Sequence, residues 1–338
     1  SSRRRHTRFR NVTGVQTCAL PIFKNGFDEF DLNNNGRLTY SDQPGRDEQR
    51  ATAGSLRGVW TIDPSLRLTA VAAATRADSR YSYDDDWTAA SYAGFSNLAR
   101  HRRGASAEVR LDGDPGASAA TSRWTLGVHA ARLDEDSRYT DEDPGNLRGL
   151  TTDYSARQLS LFGQTGISLG EAGRLVAGLR LERVSQDGAG TRTRFRKTRG
   201  TYDVPVSFRP RFADTLPGGK LSWERDVAPG VLMFASVTRG YKAGGFNTYA
   251  VFENTRTFGP EKVTDYEAGF KSDFSAGDMR GRLNVNGFWL DYTNIQRAAG
   301  DFNLATGGNG AITLSTASAT IKGVEGEAMT QQIGRAHV

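Results

Sequence analysis

Apolar side chains occupy alternate positions along most of this chain. One example is the stretch SLRGVWTIDPSLRLTAVAAAT, residues 55–75. Its apolar or small residues share one parity on each side of Asp63–Pro64–Ser65: Leu56, Gly58, Trp60 and Ile62, then Leu66, Leu68, Ala70, Ala72 and Ala74. Successive side chains of a β-strand point to opposite faces. The stretch therefore predicts a hairpin with one apolar face and one mostly polar face.

The same alternation recurs along the rest of the chain. It is clear at 105–111, 124–130, 159–167 and 175–181, and strands are also predicted in GVLMFASVT, TDYEAGFKSDF, GRLNVNGFWLDYTNI and IKGVEGEAMT. About a dozen strands fit, and no segment carries a 3.6-residue apolar stripe of helix length. The prediction is an all-β, antiparallel protein.

The predicted connections alternate between short and long. Short ones are DPS, DGDPGAS, LGEAGR, RDVAPG and SAGD, whereas long polar ones are expected at 76–102, 134–153, 185–203 and 241–262. Outer-membrane barrels combine short periplasmic turns with long extracellular loops, and their lipid-facing and lumen-facing residues alternate. Closure of the sheet into a barrel also gives every backbone N–H and C=O group a hydrogen-bond partner, which is required in lipid because no water is present there. The pattern favours a transmembrane β-barrel over the alternative, a soluble all-β protein.

Both termini are interpreted as translated sequencing adapter. The stretches SRRRHTR (2–8) and VTGVQTCALPI (12–22) fit adapter codons in one frame, and IGRAHV (333–338) fits the other strand. The alternative, a targeting peptide, requires an apolar run, but Gly14, Gln16, Thr17 and Pro21 interrupt it. We therefore treat 1–22 and 333–338 as artefact and 23–332 as the protein to be explained.

This division changes the charge and the candidate chemistry. Removing the six terminal arginines from 44 basic residues leaves 38, equal to the 38 acidic residues, so the formal charge of +6 disappears. Net charge then gives no support for a nucleic-acid partner. Cys18 is removed as well, and only His101 and His129 remain in 23–332. Neither a disulfide framework nor a Cys/His zinc site is expected, and without a catalytic motif we predict no enzyme.

Several motifs in the second half resemble one family. They are FASVTRGYKAGGFN (234–247), FGPEKVTDYEAGFKSDF (258–274), GRLNVNGFWLDYTNIQ (281–296) and IKGVEGEA (321–328), with DLNNNGRLTYSDQPGRDEQRATAGSL nearer the start. In this order they resemble the barrel domain of TonB-dependent outer-membrane receptors. The resemblance implies a 22-strand barrel around a plug, in the outer membrane of a Gram-negative bacterium. It also implies contact with membrane lipid, uptake of ferric siderophores or similar scarce chelates, and energy delivered by TonB to the plug.

The chain departs from the family pattern in ways that set further expectations. No plug or TonB box is recognised before residue 23, and the last barrel strands are not recognised before 332. A dozen strands cannot close a 22-strand barrel, so we expect an open curved sheet or a strained partial barrel that is inactive by itself. The alternatives are a passive porin-like pore and a surface calcium-binding β protein.

The motif VTRGYKAGGFN supplies candidate binding residues. Arg239, Tyr241 and Lys242 are predicted to contact an anionic ligand or the plug. In the alternative interpretation they fix the transition from strand to loop and line the rim of the barrel. Interface or lipid-facing aromatics are expected at Trp60, Trp124, Tyr266, Phe270, Trp289 and Tyr292, and lumen-facing charges at Glu267, Lys271, Glu325 and Glu327.

The stretch DLNNNGRLTYSD is the candidate metal site. Positions 1, 3, 5, 7, 9 and 12 of a calcium loop are matched by Asp31, Asn33, Asn35, the backbone of Arg37, Thr39 and Asp42. Gly36 occupies position 6, where such loops turn sharply. Position 12 is Asp instead of the usual bidentate Glu, and no flanking helices are predicted. The alternative is a hydrated Asn/Gly-rich turn.

Overall fold

Antiparallel β-strands make up most of the structure. The computed structural model describes residues 43, 45–84, 94–114, 121–277, 279–303 and 308–332. The strands are β1 (Arg46–Asp63), β2 (Leu66–Asp84), β3 (Phe95–Gly113), β4 (Thr121–Glu142), β5 (Asn146–Ser168), β6 (Arg174–Arg196), β7 (Thr201–Tyr202), β8 (Val206–Phe208), β9 (Arg211–Ala228), β10 (Val231–Lys242), β11 (Gly245–Phe246), β12 (Thr257–Phe258), β13 (Glu261–Ala276), β14 (Met279–Asn303) and β15 (Gly308–Gln332). Single turns of 3₁₀ helix lie at Gly170–Ala172 and Glu253–Thr255.

The described strands form one large meandering sheet. Its order is β1-β2-β3-β4-β5-β6-β9-β10-β13-β14-β15, with β7 and β8 paired to β6, while β11 and β12 form a separate ribbon. Within the described residues β1 pairs only with β2 and β15 only with β14, so this part of the sheet does not close on itself. The all-β antiparallel prediction is confirmed. No helix among the described residues is long and apolar enough to cross a membrane.

The two faces of the sheet differ sharply in chemistry. Large apolar side chains stand exposed on one face, where Leu56 is 76% exposed and Leu179 77%. The rows match across strands: Val109 pairs with Val128, which pairs with Leu161, which pairs with Leu181. On the other face polar side chains are buried, with Thr69 2% and Ser160 1% exposed, beside Val184 and Leu216 at 1%. We call the first the outer face and the second the inner face, and their alternation is the one that the sequence predicted.

The apolar outer rows are about as tall as a membrane. On β2 they run from Leu66 to Ala74, roughly 27 Å along the strand at the usual rise per residue. A strand tilt of about 40° reduces this to about 20 Å of height, close to the apolar band of outer-membrane barrels. Trp60, Tyr266 and Trp289 contribute exposed aromatic rings to this face, as predicted.

The predicted long loops are mostly strand, which corrects the sequence analysis. Strand β2 continues to Asp84, β4 to Glu142 and β6 to Arg196, so 76–84, 134–142 and 185–196 are paired backbone. The connection between β4 and β5 shortens to 143–145, where the Asp143 carboxylate accepts from the Gly145 and Asn146 amides. Backbone pairing needs only a neighbouring strand, whereas apolar alternation needs one face in an apolar environment. The alternation therefore ends before the strands do.

The short turns lie at the opposite end of the sheet from these extensions. At Asp63–Ser65 the Asp63 carboxylate accepts from the Ser65 amide at 2.7 Å, an Asx turn of the kind such residues favour. Between β9 and β10, Gly230 has φ of 77°, a left-handed conformation that glycine adopts without a steric penalty. The sheet thus has a short-turn end and an extended end.

Candidate functional site on the inner face

The segment between β10 and β13, residues 243–260, folds across the inner face at the extended end. Its base is fixed by two glutamine side chains: Gln186 donates to the Gly244 carbonyl at 3.0 Å, and Gln296 to the Ala243 carbonyl at 2.8 Å. Gly188 makes room for the approach, because a Cβ there would lie 2.4 Å from the ring of Phe246. We call residues 243–260 the inward loop.

On one side the inward loop is bound to β14 and β15. The Asp301 carboxylate, 5% exposed, accepts from the Val251 and Phe252 amides and from Thr255 Oγ1. Although burial opposes ionisation, these hydrogen bonds hold the pKa of Asp301 below its ordinary value. Asn247 exchanges hydrogen bonds with the backbone of Thr313 at 2.9 and 2.8 Å.

On the other side the same loop reaches β4, β5 and β6. The ring of Tyr249 meets Tyr139 edge-on at 5.9 Å, and Phe246 meets Tyr154 at 5.6 Å. Burial, with Tyr139 alongside, raises the pKa of Tyr249 to about 12. Arg192 donates to the carbonyls of Thr248 and Ala250. The loop therefore ties together strands that are several positions apart in the sheet.

Two guanidinium groups, one from β6 and one from the inward loop itself, share one aromatic ring. The Cζ atoms of Arg256 and Arg192 lie 4.7 and 5.4 Å from the centroid of Phe208. Burial, and then the neighbouring Arg256 charge, lower the pKa of Arg192. Among the described residues, Arg192 Nε and Arg256 Nη1 are buried without a hydrogen-bond partner. Buried polar groups are normally paired, so this Arg192/Arg256 pair presents two N–H donors suited to an anionic group.

A second polar cluster lies nearer the short turns. Arg180 contacts Glu182 and donates to Ser160 Oγ at 2.7 Å, and Phe162 lies beside the guanidinium. Further along the inner face, Lys220, Glu267, Lys271, Glu325 and Glu327 line a cavity of roughly 740 Å³. The inner-face prediction for Glu267, Lys271, Glu325 and Glu327 is consistent with this placement.

The three residues predicted from VTRGYKAGGFN are separated by the structure. Arg239 is exposed on the outer face, in line with Val237, and donates to Thr264 Oγ1. Tyr241 packs its ring over Gly218, and its buried hydroxyl lies beside Arg180 and Glu182. Lys242 is exposed at the end of β10, opposite Glu261. Contact of Tyr241 or Lys242 with a ligand or plug stays a prediction, and the outward direction of Arg239 fits its alternative place at the rim of the barrel.

The predicted calcium loop cannot be placed. Residues 31–42 lie outside the described residues, as do the two stretches interpreted as adapter. In the part of the chain that the structure describes, no group of three or more His, Cys, Asp or Glu side chains is arranged to hold a metal ion.

The sequence analysis missed the residues that hold the inward loop. Asp301, Arg192 and Tyr139 come from three separate strands, and nothing in the local pattern around them distinguishes them from other polar strand positions. The only local signal was the AGGFN stretch, because Gly244 and Gly245 are buried where the loop passes close to β9 and β12.

Comparisons with known proteins agree with this geometry. The family model described as TonB dependent receptor-like, beta-barrel, matches residues 2–334. The ferric yersiniabactin uptake receptor FyuA from Yersinia pestis superposes with a TM-score of 0.64 at 16% identity, over 83% of this chain and 39% of that one.

Two other solved receptors are similar to the same degree. The ferric-catecholate import receptor Fiu from E. coli K12 gives a TM-score of 0.64 at 12% identity, covering 87% of this chain and 46% of its own. The siderophore receptor PiuA from Acinetobacter baumannii gives a TM-score of 0.64 at 11% identity, covering 86% of this chain and 45% of its own. This chain therefore spans less than half the length of each, and at these identities the likeness shows the fold.

Proposed function

This chain belongs to the TonB-dependent receptor β-barrel family, and from that premise we propose that it forms part of the wall of an uptake receptor for a ferric siderophore or a similar scarce chelate. The family is one of receptors and transporters, in agreement with the prediction that the protein is not an enzyme. The proposal places the barrel in the outer membrane of a Gram-negative bacterium, in contact with lipid, and assigns energisation to TonB acting on a plug.

One observation carries the choice of cargo. Arg192 on β6 and Arg256 in the inward loop lie together on the inner face, and each guanidinium has a buried N–H without a partner among the described residues. Guanidinium groups bind carboxylates and similar oxyanions through parallel charged hydrogen bonds. An anionic chelate entering from the extended end would supply the missing acceptors. Two of the similar receptors are named for ferric chelates, and these names support the same class of cargo.

Lys242 and Tyr241 are proposed to act below this pair. Lys242 is exposed at the top of β10, and the Tyr241 hydroxyl lies against the Arg180–Glu182 pair in the wall. We propose that these two residues contact the ligand or the plug, whereas Arg239, exposed on the outer face, fits the alternative of a residue that lines the rim of the barrel. Calcium binding by residues 31–42, through the oxygen ligands of Asp31, Asn33, Asn35, Arg37, Thr39 and Asp42, is likewise kept as a proposal.

Uptake by the full-length gene product tests the proposal. Cells that lack their own siderophore receptors would express it, and accumulation of ⁵⁵Fe would be followed with a panel of ferric chelates, in strains with and without TonB. We expect accumulation of at least one chelate only when TonB is present. Accumulation that persists without TonB would instead identify a passive pore.

The Arg192/Arg256 pair is tested separately by binding. We compare Arg256→Gln with Arg138→Gln, which removes an exposed outer-face arginine of β4. Losing a charged hydrogen bond in a buried site predicts an affinity for the transported chelate weaker by about tenfold or more, while the Arg138 variant binds as the parent does. Equal affinities would remove this pair from the ligand site.

A further inference from the structure

Arginine marks the upper limit of the apolar rows on six strands of the outer face. On β2 the outer-face side chains, counted from the short turn, are apolar or small up to Ala74, and the next one is Arg76. On β6 they are apolar up to Leu181, and the next one is Arg183. The equivalent position on all six strands is arginine: Arg76, Arg103, Arg132, Arg157, Arg183 and Arg239. All six side chains are exposed. We call these six residues the arginine band.

The register shows that the arginine band follows the tilt of the strands. Arg76 pairs with Arg103 and Arg132 pairs with Arg157, but Arg103 faces Asp134, so the second pair lies two residues nearer the short turns. Arg183 and Arg239 continue the shift across β9, which carries no arginine of the band, so that it averages about 1.3 residues for each strand, or about 4.4 Å for each 4.8 Å across the sheet. This corresponds to an angle of about 42°, within the range of strand tilt in such barrels.

The short turns step in the same direction. Trp124, near the short-turn end of β4, pairs with Thr165, and β5 continues for three more residues to Ser168 before its own turn. The arginine band and the line of turns therefore run parallel along the sheet. In a tilted barrel this places the six guanidinium groups at one height, at the boundary between the lipid tails and the headgroups on the extended side.

Half of the arginine band has no acidic partner within the described residues. Arg132 is held by Asp134 at 2.7 and 2.9 Å, and Arg76 and Arg103 also have aspartates within 4 Å. In contrast, Arg183 donates only to Thr215 and Arg239 only to Thr264, and Arg157 makes no ion pair or hydrogen bond through its side chain in the described part of the chain. These three keep free N–H donors that face the headgroup region.

We propose that the arginine band binds the phosphate groups of anionic lipids in the outer leaflet, with Arg157, Arg183 and Arg239 as its principal ligating residues. A guanidinium matches two phosphate oxygens in a bidentate manner, and basic side chains at the headgroup level are attracted to anionic lipid. A ring of fixed height supplies several such contacts to neighbouring headgroups. The inference rests on the membrane placement of the barrel and is independent of its cargo.

The test uses the full-length receptor in nanodiscs of phosphatidylethanolamine that contain either bisphosphorylated lipid A or its enzymatically dephosphorylated form. Lipid retained after detergent exchange is counted by native mass spectrometry. The variant Arg157→Gln/Arg183→Gln/Arg239→Gln is compared with Arg50→Gln/Arg80→Gln/Arg138→Gln. The control removes the same charge from exposed outer-face arginines further from the short turns.

We expect the parent and the control to retain bisphosphorylated lipid A, and the band variant to lose about tenfold or more of that retention. Dephosphorylated lipid should be retained weakly by all three. Heat-modifiable migration in gels confirms that each variant is folded. Equal retention by the folded parent and the folded band variant would overturn the proposal. Equal retention of bisphosphorylated and dephosphorylated lipid A by the parent would also overturn it. A simultaneous loss of chelate uptake is not expected, so failure here leaves the proposed function standing.

Discussion

The two halves of the long strands share one backbone ladder but meet different surroundings. Near the short turns, β6 has leucines outward and Arg180 and Glu182 inward, whereas near its far end Arg192 lies under the inward loop and both faces carry polar side chains. Pairing continues without interruption from Arg174 to Arg196. Hydrogen-bonded pairing is therefore insensitive to the medium beside the sheet, while the side-chain pattern records that medium directly.

One arginine substitution in each half of β6 tests this difference. We predict that Leu179→Arg lowers the free energy of unfolding in lipid vesicles by about 2–4 kcal/mol, because the arginine would face hydrocarbon. Thr193→Arg, on the same face of the same strand but beyond the apolar rows, should cost at most about 1 kcal/mol. Urea titration followed by tryptophan fluorescence measures both. Similar losses in the two variants would mean that the outer leucines do not meet lipid.

Removing the Asp301 anchor tests the polar half. Asp301→Ala leaves the Val251 and Phe252 amides and the Thr255 hydroxyl without their shared acceptor. Each unpaired buried group costs about 1–3 kcal/mol, so we expect the inward loop to open, with faster amide exchange and proteolysis at 243–260. Asp226→Ala, at an exposed position near a short turn, is the control. Unchanged exchange in the Asp301 variant would show that the loop is held elsewhere.

The raised pKa of Tyr249 predicts a pH dependence confined to the same half. The folded value is about 12 and the ordinary one is 10, so the folded state favours the neutral phenol. This contribution to stability is complete below pH 10 and is lost as the pH rises towards 12. We expect proteolysis of the inward loop to increase across this interval in the parent and to lose that increase in Tyr249→Phe. An identical alkaline profile in both proteins would assign the transition to another group.

The proposed calcium site predicts a modest and local effect. Calcium should protect residues 31–42 from proteolysis in the parent, with half-protection at about 0.1–1 mM if the site resembles extracellular calcium modules. Asp31→Ala, which removes the carboxylate at the first ligand position, should abolish this protection. Asp47→Ala, on an exposed strand position outside the motif, should leave it intact. Absence of protection in the parent would end the proposal.

Sequence reasoning succeeded in the half where side chains report on lipid. The period-two rows at Leu175–Leu181 and Leu66–Ala74 predicted the strands, the hairpins and the apolar face, and the short turns between them were read from their Gly, Pro and Asp residues. The same reasoning failed at 134–153 and 185–203, where strands continue without an apolar face. Polar residues in extended, paired backbone carry no periodic signal, so they were assigned to loops.

The candidate site was beyond the reach of local patterns for a related reason. Asp301, Tyr139 and Arg192 meet only because the inward loop crosses several strands, and their contacts depend on register across the whole sheet. Arg239 was recognised from its motif, but its outward direction follows from counting positions from Val237 within a known strand. Motifs located the strand, and the fold then decided which face each residue occupies.

Lipid contact along β6 can be measured residue by residue. Single cysteines would be introduced one at a time at 177–182 and at 188–193 of a cysteine-free full-length receptor, labelled with a fluorophore, and exposed to brominated lipids after reconstitution. We predict strong quenching at 177, 179 and 181, weak quenching at 178, 180 and 182, and weak quenching throughout 188–193. Equal quenching at odd and even positions of 177–182, or strong quenching at 188–193, would contradict it.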